Sequence, residues 1–278
     1  MFHHTAAGTN LVRLGQSLSR LLCPLAISRP IAPLLRYSIM YLESLHGNGS
    51  GKGWDLEGEV IAALGFIESA DPVILDVGAH SGVWSRLLSQ HLGGKGRFHL
   101  FEASPENARR LAGSLEANFS LIPKAVSDHD GEATLYFAPR STDISSLHRR
   151  TESIFGNVTF EEVKVETIRL DTWIEQNKVE RIDYLKMDIE GHELSALRGA
   201  MRSLEAGIIR VLAFEFGGGN MNSRTFIKDF WEMLKPLGYD FFRICPSGRT
   251  LPIPGYYEDL EYFRGATNYL ALRNGSSR

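Results

Sequence analysis

Lys186, Asp188, Glu190 and His192 bring an ammonium, two carboxylates and an imidazole into one short stretch, Leu185-Lys186-Met187-Asp188-Ile189-Glu190-Gly191-His192-Glu193. Groups of these kinds orient a hydroxyl and take up its proton, and carboxylates also supply hard oxygen ligands to a divalent cation. If Ile182 to Met187 is a strand, side-chain alternation puts Lys186 and Asp188 on one face. The cluster then lies at or past the strand's carboxyl end, the edge at which open α/β sheets bind ligands. A plainer reading makes Asp188 the cap of the next helix, with Glu190 and Glu193 favouring its positive N-terminus. Capping and catalysis are compatible. His192 alone reads more readily as a helix-face histidine than as a base.

A second constellation has the form of a cofactor site. The apolar run Val73-Ile74-Leu75 ends in Asp76-Val77-Gly78-Ala79-His80-Ser81-Gly82, and Trp84, Leu87, Leu88 and Leu92 then recur at helical spacing. The glycines let backbone approach a ligand, and Asp76 stands where a carboxylate meets a polar or cationic group. A dinucleotide fold wants G-x-G-x-x-G, with a middle glycine beside the pyrophosphate. His80 occupies that middle position. A ligand without phosphates is the better fit, which argues against a nicotinamide-dependent oxidoreductase. Glu102, after the apolar run Arg97 to Phe101, falls where an acid on the second strand binds ribose hydroxyls. Ser104 and Pro105 read as N-cap and first residue of the following helix.

Strands at Val73 to Asp76, Phe98 to Glu102, Ser120 to Val126, Ile182 to Met187 and Ile208 to Phe216 alternate with helical patterns at Glu106 to Asn118 and Glu193 to Glu205. The alternation predicts an α/β fold with a doubly wound, mostly parallel sheet. Tyr239 to Ile244 and Thr267 to Leu272, joined by a Pro/Gly-rich loop without a helix, predict an antiparallel hairpin at the sheet edge. Ala133 to Phe137 and Val163 to Leu170 predict a β-rich insertion. Trp173 and Trp231 are expected to pack helices onto the sheet. Gly217-Gly218-Gly219-Asn220 is a permissive loop beside the Asp188 edge, either a lid or a long turn. Tyr256, Tyr257, Tyr262 and Phe263 either offer aromatic faces to a glycan or cover the hairpin.

At 278 residues, 43% hydrophobic and 23% charged, the chain buries a sizeable core. Its net charge of −3 gives no reason to expect nucleic acid. Cys23 and Cys245 are the only cysteines, and no run approaches the ~20 apolar residues of a membrane span, so a reducing, cytoplasmic setting is expected. The first part of the chain differs in character. No acid precedes Glu43, while Arg13, Arg20, Arg29 and Arg36 are spread among Leu11, Leu14, Leu18, Leu21, Leu22 and Leu25. A partly helical extension interrupted by Pro24, Pro30 and Pro33 would serve as a membrane-surface contact, a transit peptide or an arm packing on the domain or a second subunit. His3 and His4 read as tail residues. Gly47 to Gly53 reads as a flexible linker, which sets an extension at 1–53 and a domain at 54–278.

Taken in order, Asp76-Val77-Gly78-Ala79-His80-Ser81-Gly82, Phe101-Glu102-Ala103-Ser104-Pro105-Glu106-Asn107, Ala125-Val126-Ser127-Asp128, Leu170-Asp171 and Leu185 to Leu194 resemble the motifs of the FkbM-type methyltransferases. The resemblance covers roughly Val73 to Leu204, and Asn268-Tyr269-Leu270-Ala271-Leu272 is similar to the family's last strand. It implies a class I, Rossmann-like methyltransferase fold that uses S-adenosyl-L-methionine, usually to methylate a hydroxyl of a sugar, glycan or secondary metabolite. Carried onto this chain, it implies that Asp76, Gly78, His80 and Gly82 line the methionine and adenosine end of the cofactor. Glu102 would hold the ribose, with Ala103 at the adenine and Ser127 and Asp128 near it; the latter two otherwise simply make a turn before Gly131. Asp188 would sit nearest the transferred methyl, with Glu190 and His192 toward the acceptor. For such a reaction Asp188 and His192 are the candidates for accepting or orienting the hydroxyl proton, with Glu190 and Glu215 assisting. Asp188, Glu190 and Glu215 are also the residues that would hold Mg²⁺ beneath a sugar diol, although no closed metal motif is present. A catalytically silent binding module is the reading from another class.

Overall fold

The computed structural model describes residues 16–20, 22–51, 55–139, 141–151 and 158–275. The expectations for His3, His4, Leu11, Arg13, Leu14, Leu21, Lys52 and Gly53 lie outside these residues. The chain divides into two compact units, residues 1–45 and residues 46–278. The first includes helix α1 (Ala32–Leu45), with Pro33 in its first turn, where a missing N–H costs nothing.

The second unit is built on an eight-stranded sheet. Its parallel part comprises β1 (Val73–Val77), β2 (Arg97–Phe101), β3 (Phe119–Ile122), β7 (Tyr184–Met187) and β8 (Val211–Gly217). Every residue of β1 is buried, as expected of a strand covered on both faces. Val73, Leu75 and Val77 face one apolar layer with Leu185, Met187, Leu212 and Phe214. Ile74 faces the other with Phe98, Leu100, Tyr184 and Val211. Helices α2 (Leu56–Leu64), α3 (Val83–His91) and α4 (Pro105–Ala112) close the second layer. The first layer is closed by α5 (Leu170–Gln176), α6 (Glu193–Arg198), α7 (Met201–Glu205) and α9 (Ile227–Leu234), while α8 (Gly218–Ser223) follows β8 directly. Trp173 packs edge-on against Phe101 at 5.3 Å and Trp231 packs tilted against Phe241 at 4.8 Å, both as helix anchors.

Four expectations change. The run 120–126 is two strands, because Pro123 cannot donate to a ladder: β3 stays in the main sheet and β4 (Ala125–Val126) leaves it. With β5 (Gly131–Phe137) and β6 (Glu161–Ile168) it forms a second sheet in the order β4-β6-β5, which is the expected insertion. The helical pattern 106–118 stops at Ala112, before Gly113. The pattern 193–205 breaks at Gly199, where the backbone lies so close to the Ser127 carbonyl that a Cβ would come within 2.0 Å of its oxygen. The two tail strands, β9 (Tyr239–Ile244) and β11 (Ala266–Arg273), pair antiparallel as expected but not at the edge: β11 lies between β8 and β9, antiparallel to both, and the edge falls to β10 (Thr250–Ile253).

The glycine-rich segment expected to be a free linker is held along β11. Gly51 N–H donates to the Ala266 carbonyl at 3.0 Å, Gly49 N–H to Thr267 Oγ1 at 3.0 Å, and Asn268 N–H to Ser50 Oγ at 3.0 Å. The second unit accordingly begins at His46, ahead of the expected boundary.

Phe214 stands between Phe230, whose ring is parallel at 4.5 Å, and Tyr269 at 5.7 Å, tying α9 to the point where parallel and antiparallel strands meet. Phe230→Ala is expected to destabilise the fold by ~3–5 kcal/mol through lost burial and a residual cavity. Phe226→Ala, at an exposed position just before the same helix, is expected to stay within about 0.5 kcal/mol. Urea denaturation of the two variants checks the contrast.

Candidate active site

The site is set by two strand ends held against each other. Gly78 leaves β1 at φ +85°, and a Cβ built on it would lie 2.0 Å from the Asp188 carbonyl oxygen. Only glycine meets both conditions. Gly78 and Ala79 N–H donate to the Phe101 carbonyl at 2.9 and 3.0 Å, so the turn is also strapped to the end of β2. Beside it Glu102 accepts from His80 N–H at 2.7 Å and from Ser104 N–H at 2.8 Å. Burial pushes the Glu102 carboxyl up against these hydrogen bonds.

A cavity of about 210 Å³, open to solvent on one side, lies along this edge. Gly78, His80, Glu102 and Ala103 form part of its wall, and Asp188, Glu190 and His192 form another. Asp76 and Gly82 do not line it. Asp76 is buried beneath the turn, where its Oδ2 accepts from Ser85 Oγ at 2.7 Å and its Oδ1 lies 3.9 Å from Lys186 Nζ. Gly82 is the N-cap of α3 at φ +70°, packed on Leu111. Ser127 and Asp128 also lie off the wall. Ser127 Oγ meets His192 Nε2 at 3.0 Å, and Asp128 meets His129 Nδ1 at 2.7 Å.

The Asp188 segment is a crowd of acids around few cations. Lys186 Nζ lies 3.2 Å from Asp188 and 5.8 Å from the centre of the Trp84 ring. Burial opposes its charge, but Asp188, Asp76 and Glu59 outweigh that cost and raise its pKa. Glu190 sits in the left-handed region at φ 53°, and its carboxylate accepts from Arg150. Burial, reinforced by the charge of Asp188, lifts the Glu190 carboxyl to about 7 in spite of Arg150. His192 has both ring nitrogens engaged, with Ser127 Oγ at 3.0 Å and His148 Nε2 at 3.0 Å, and burial together with His148 lowers it to about 4. It is therefore neutral at pH 7, with neither nitrogen free.

Asp188 does not cap the next helix. The N-cap is His192, without a side-chain cap bond, and Glu193 at the start of α6 instead holds the preceding turn, its Oε1 accepting from Ile189 N–H at 2.9 Å and Gly191 N–H at 3.3 Å. Its other oxygen has no hydrogen-bond partner among the described residues, and burial lifts the carboxyl to about 8. Glu215, on β8, does not line that cavity. It borders a small recess with Glu59, Lys186, Asp188 and Asn268, and burial followed by the charges of Asp188, Glu190 and Glu193 pushes its carboxyl well up. Asp188, Glu190 and Glu215 each offer an oxygen, all within 4.8 Å of one another. The glycine loop after β8 is the short helix α8, packed so closely on the Glu190-Gly191 backbone that a Cβ on Gly219 would come 2.4 Å from Glu190 C.

Sequence reasoning missed the contribution of 142–150. Thr142 Oγ1 meets His80 Nε2 at 2.7 Å, Ser146 Oγ donates to the Glu190 carbonyl at 2.8 Å, and His148 and Arg150 meet His192 and Glu190. The available signal was the polar run Leu147-His148-Arg149-Arg150 inside the insertion, but no spacing ties it to position 190. Glu59 was missed for the same reason; its Oε1 accepts from Asn268 Nδ2 at 2.8 Å, across most of the chain.

Residues 76–241 match the methyltransferase FkbM domain. The chain belongs to the FkbM methyltransferase family. It is 30% identical over 153 residues to the 2-O-methyltransferase NoeI of Sinorhizobium fredii, covering 51% of this chain and 62% of that one. It is 28% identical over 155 residues to the hexuronic acid methyltransferase AglP of Haloferax volcanii, covering 55% of this chain and 60% of that one. The chain thus spans about three fifths of the length of these curated relatives. Among solved structures, the methyltransferase FkbM of Methylobacillus flagellatus matches with a TM-score of 0.47 at 16% identity, over 73% of this chain and 44% of that one. The family match begins at Asp76 and contains the whole Asp188 segment.

Glu193→Gln is expected to make the fold more stable at alkaline pH. The amide oxygen keeps the hydrogen bonds to Ile189 and Gly191, and the buried charge is removed. A carboxyl raised from 4.5 to about 8 contributes stability below its unfolded pKa, and loses it as pH rises through the folded value. The advantage of the variant should therefore grow between pH 4.5 and 8. Thermal unfolding across that range tests it, and a constant difference would refute the buried-charge account.

Proposed function

We propose that this protein transfers a methyl group from S-adenosyl-L-methionine to a hydroxyl of a sugar or glycan. One observation carries the reading: a single cavity has the Glu102 carboxyl on one wall and Asp188 and Glu190 on another. The residues suit the cofactor. Glu102 is anchored by two backbone N–H groups at the height of the glycine turn, the position from which an acid holds ribose hydroxyls. His80 in the turn leaves no glycine for a pyrophosphate, which disfavours a nicotinamide cofactor. One relative is named a 2-O-methyltransferase and another a hexuronic acid methyltransferase, which together favour an oxygen of a sugar as the acceptor.

When bound, S-adenosyl-L-methionine supplies a methyl already activated on a sulfonium. The chain must then orient the acceptor oxygen and receive its proton. Positioning is worth ~7–11 kcal/mol, whereas a general base contributes ~10²–10⁴-fold. Asp188, the more exposed carboxylate and steadied by Lys186 at 3.2 Å, orients the hydroxyl. Glu190 has a carboxyl near 7, matched to taking a proton at neutral pH. His192 holds the wall through Ser127 and His148, and Glu215 supports Asp188 from the recess. Asp76 and Gly82 act on the cofactor by shaping the turn, and Ser127 and Asp128 through the neighbouring wall.

Asp188, Glu190 and Glu215 are close enough to share a divalent cation such as Mg²⁺. Lys186 and Arg150 already oppose the charge of Asp188 and Glu190. Activity is expected to be unchanged by EDTA; its loss, restored by Mg²⁺, would assign the three carboxylates to a cation instead.

Glu102→Ala should weaken S-adenosyl-L-methionine binding ~10- to 100-fold through lost charged hydrogen bonds. Asp188→Asn should reduce turnover ~10²–10⁴-fold while leaving cofactor affinity within a few-fold. Calorimetry and methyl transfer to hexoses and hexuronic acids separate the two. Equal loss of binding and turnover in Asp188→Asn, or NAD⁺ binding in place of S-adenosyl-L-methionine, would overturn the assignment. Binding without transfer to any hydroxylated acceptor would favour the silent module.

A further inference from the structure

Helix α1 leaves its apolar side exposed. Leu34, Leu35, Tyr37, Ile39, Tyr41 and Leu42 are 39–68% exposed, and no residue of the helix is buried. At 3.6 residues per turn these six form one continuous face about 200° wide, with Arg36 and Glu43 opposite. An apolar face of that width marks a binding surface. The surrounding charge says what for. Residues 1–45 hold Arg13, Arg20, Arg29 and Arg36 against the single acid Glu43, while the whole chain is net −3. Arg20, Arg29 and Arg36 are exposed.

We propose that α1 lies in the headgroup plane of an anionic lipid bilayer, with its Leu/Ile/Tyr face inserted and the arginines on acidic headgroups. An exposed apolar face with tyrosines, backed by arginine on the polar side, is the composition of interfacial helices. At 14 residues the helix is ~21 Å long against a hydrocarbon core of ~30 Å, so it lies on the bilayer and does not cross it. No helix among the described residues is long and apolar enough to cross. A second copy would meet the same apolar face with the same uncompensated arginines, whereas anionic headgroups neutralise them. The acidic remainder of the chain is repelled from such a surface, which leaves this segment as the contact.

Co-sedimentation of the full chain with vesicles tests the proposal. Binding is expected to vesicles of equal parts phosphatidylcholine and phosphatidylglycerol, not to phosphatidylcholine alone, and to weaken as salt is raised. Replacing Arg29 and Arg36 together by Gln should weaken binding roughly 20- to 30-fold, from about fivefold per arginine. Leu34→Ser with Leu42→Ser should abolish it, with the thermal unfolding of the second unit unchanged. Absence of binding to the mixed vesicles, or binding that survives both double variants, would overturn the proposal. So would self-association, seen by analytical ultracentrifugation without vesicle binding and lost in the leucine double variant, which would assign the face to a second copy.

Discussion

Gly78 has no room for a side chain, and the site depends on that fact. Its Cα approaches the Asp188 carbonyl so closely that the ends of β1 and β7 act as one platform. From one side of that platform the turn reaches the Phe101 carbonyl and sets His80 N–H on Glu102. From the other, the backbone leaves Asp188 through the left-handed Glu190 and Gly191 into α6. A methyl group at position 78 would push these two walls apart, and the spacing across the cavity would change with them. The same device recurs where Gly191 meets Gly219 and where Gly199 meets Ser127. Close backbone contact, more than side-chain packing, fixes the distances at this edge.

The second constraint is electrostatic. Glu59, Asp76, Asp188, Glu190, Glu193 and Glu215 surround Lys186 and Arg150, so the acids outnumber the nearby cations. Burial makes each unshared charge expensive, and several carboxyls are pushed up in response. Their environments nevertheless differ. Glu193 is spent on backbone N–H groups of the turn, Asp76 on Ser85, and Glu59 on Asn268. Asp188 and Glu190 keep a place on the cavity wall. Division of labour among chemically similar acids therefore comes from what each one touches.

The segment between β5 and β6 completes the wall. Ser146, His148 and Arg150 reach the backbone of Glu190, the ring of His192 and the carboxylate of Glu190, respectively. The small sheet β4-β6-β5 positions this segment, and β4 departs from the main sheet only because Pro123 ends β3. A single proline thus helps decide whether His148 and a paired arginine reach the site. It also separates the main sheet, which carries the glycine turn and Glu102, from the insertion that closes the opposite wall.

Local pattern alone determined the alternating strands, the glycine turn at Asp76 to Gly82, the acid ending β2, and the Asp188 cluster at a strand's carboxyl end. Each rests on a period or a backbone requirement contained within about ten residues. The roles within the cluster were not local. Asp76 belongs to the glycine motif yet is buried against Ser85, and His192 belongs to the acidic motif yet has both nitrogens occupied by Ser127 and His148. The insertion of β11 between β8 and β9, and the docking of Gly47 to Gly51 along it, were equally hidden, because strand order depends on which exposed edges remain to be paired. Spacing tells which groups are near one another along the chain; burial and hydrogen-bond partners, which tune a carboxyl or an imidazole, come from residues as far apart as Glu59 and Asn268 and exist only once the chain has folded.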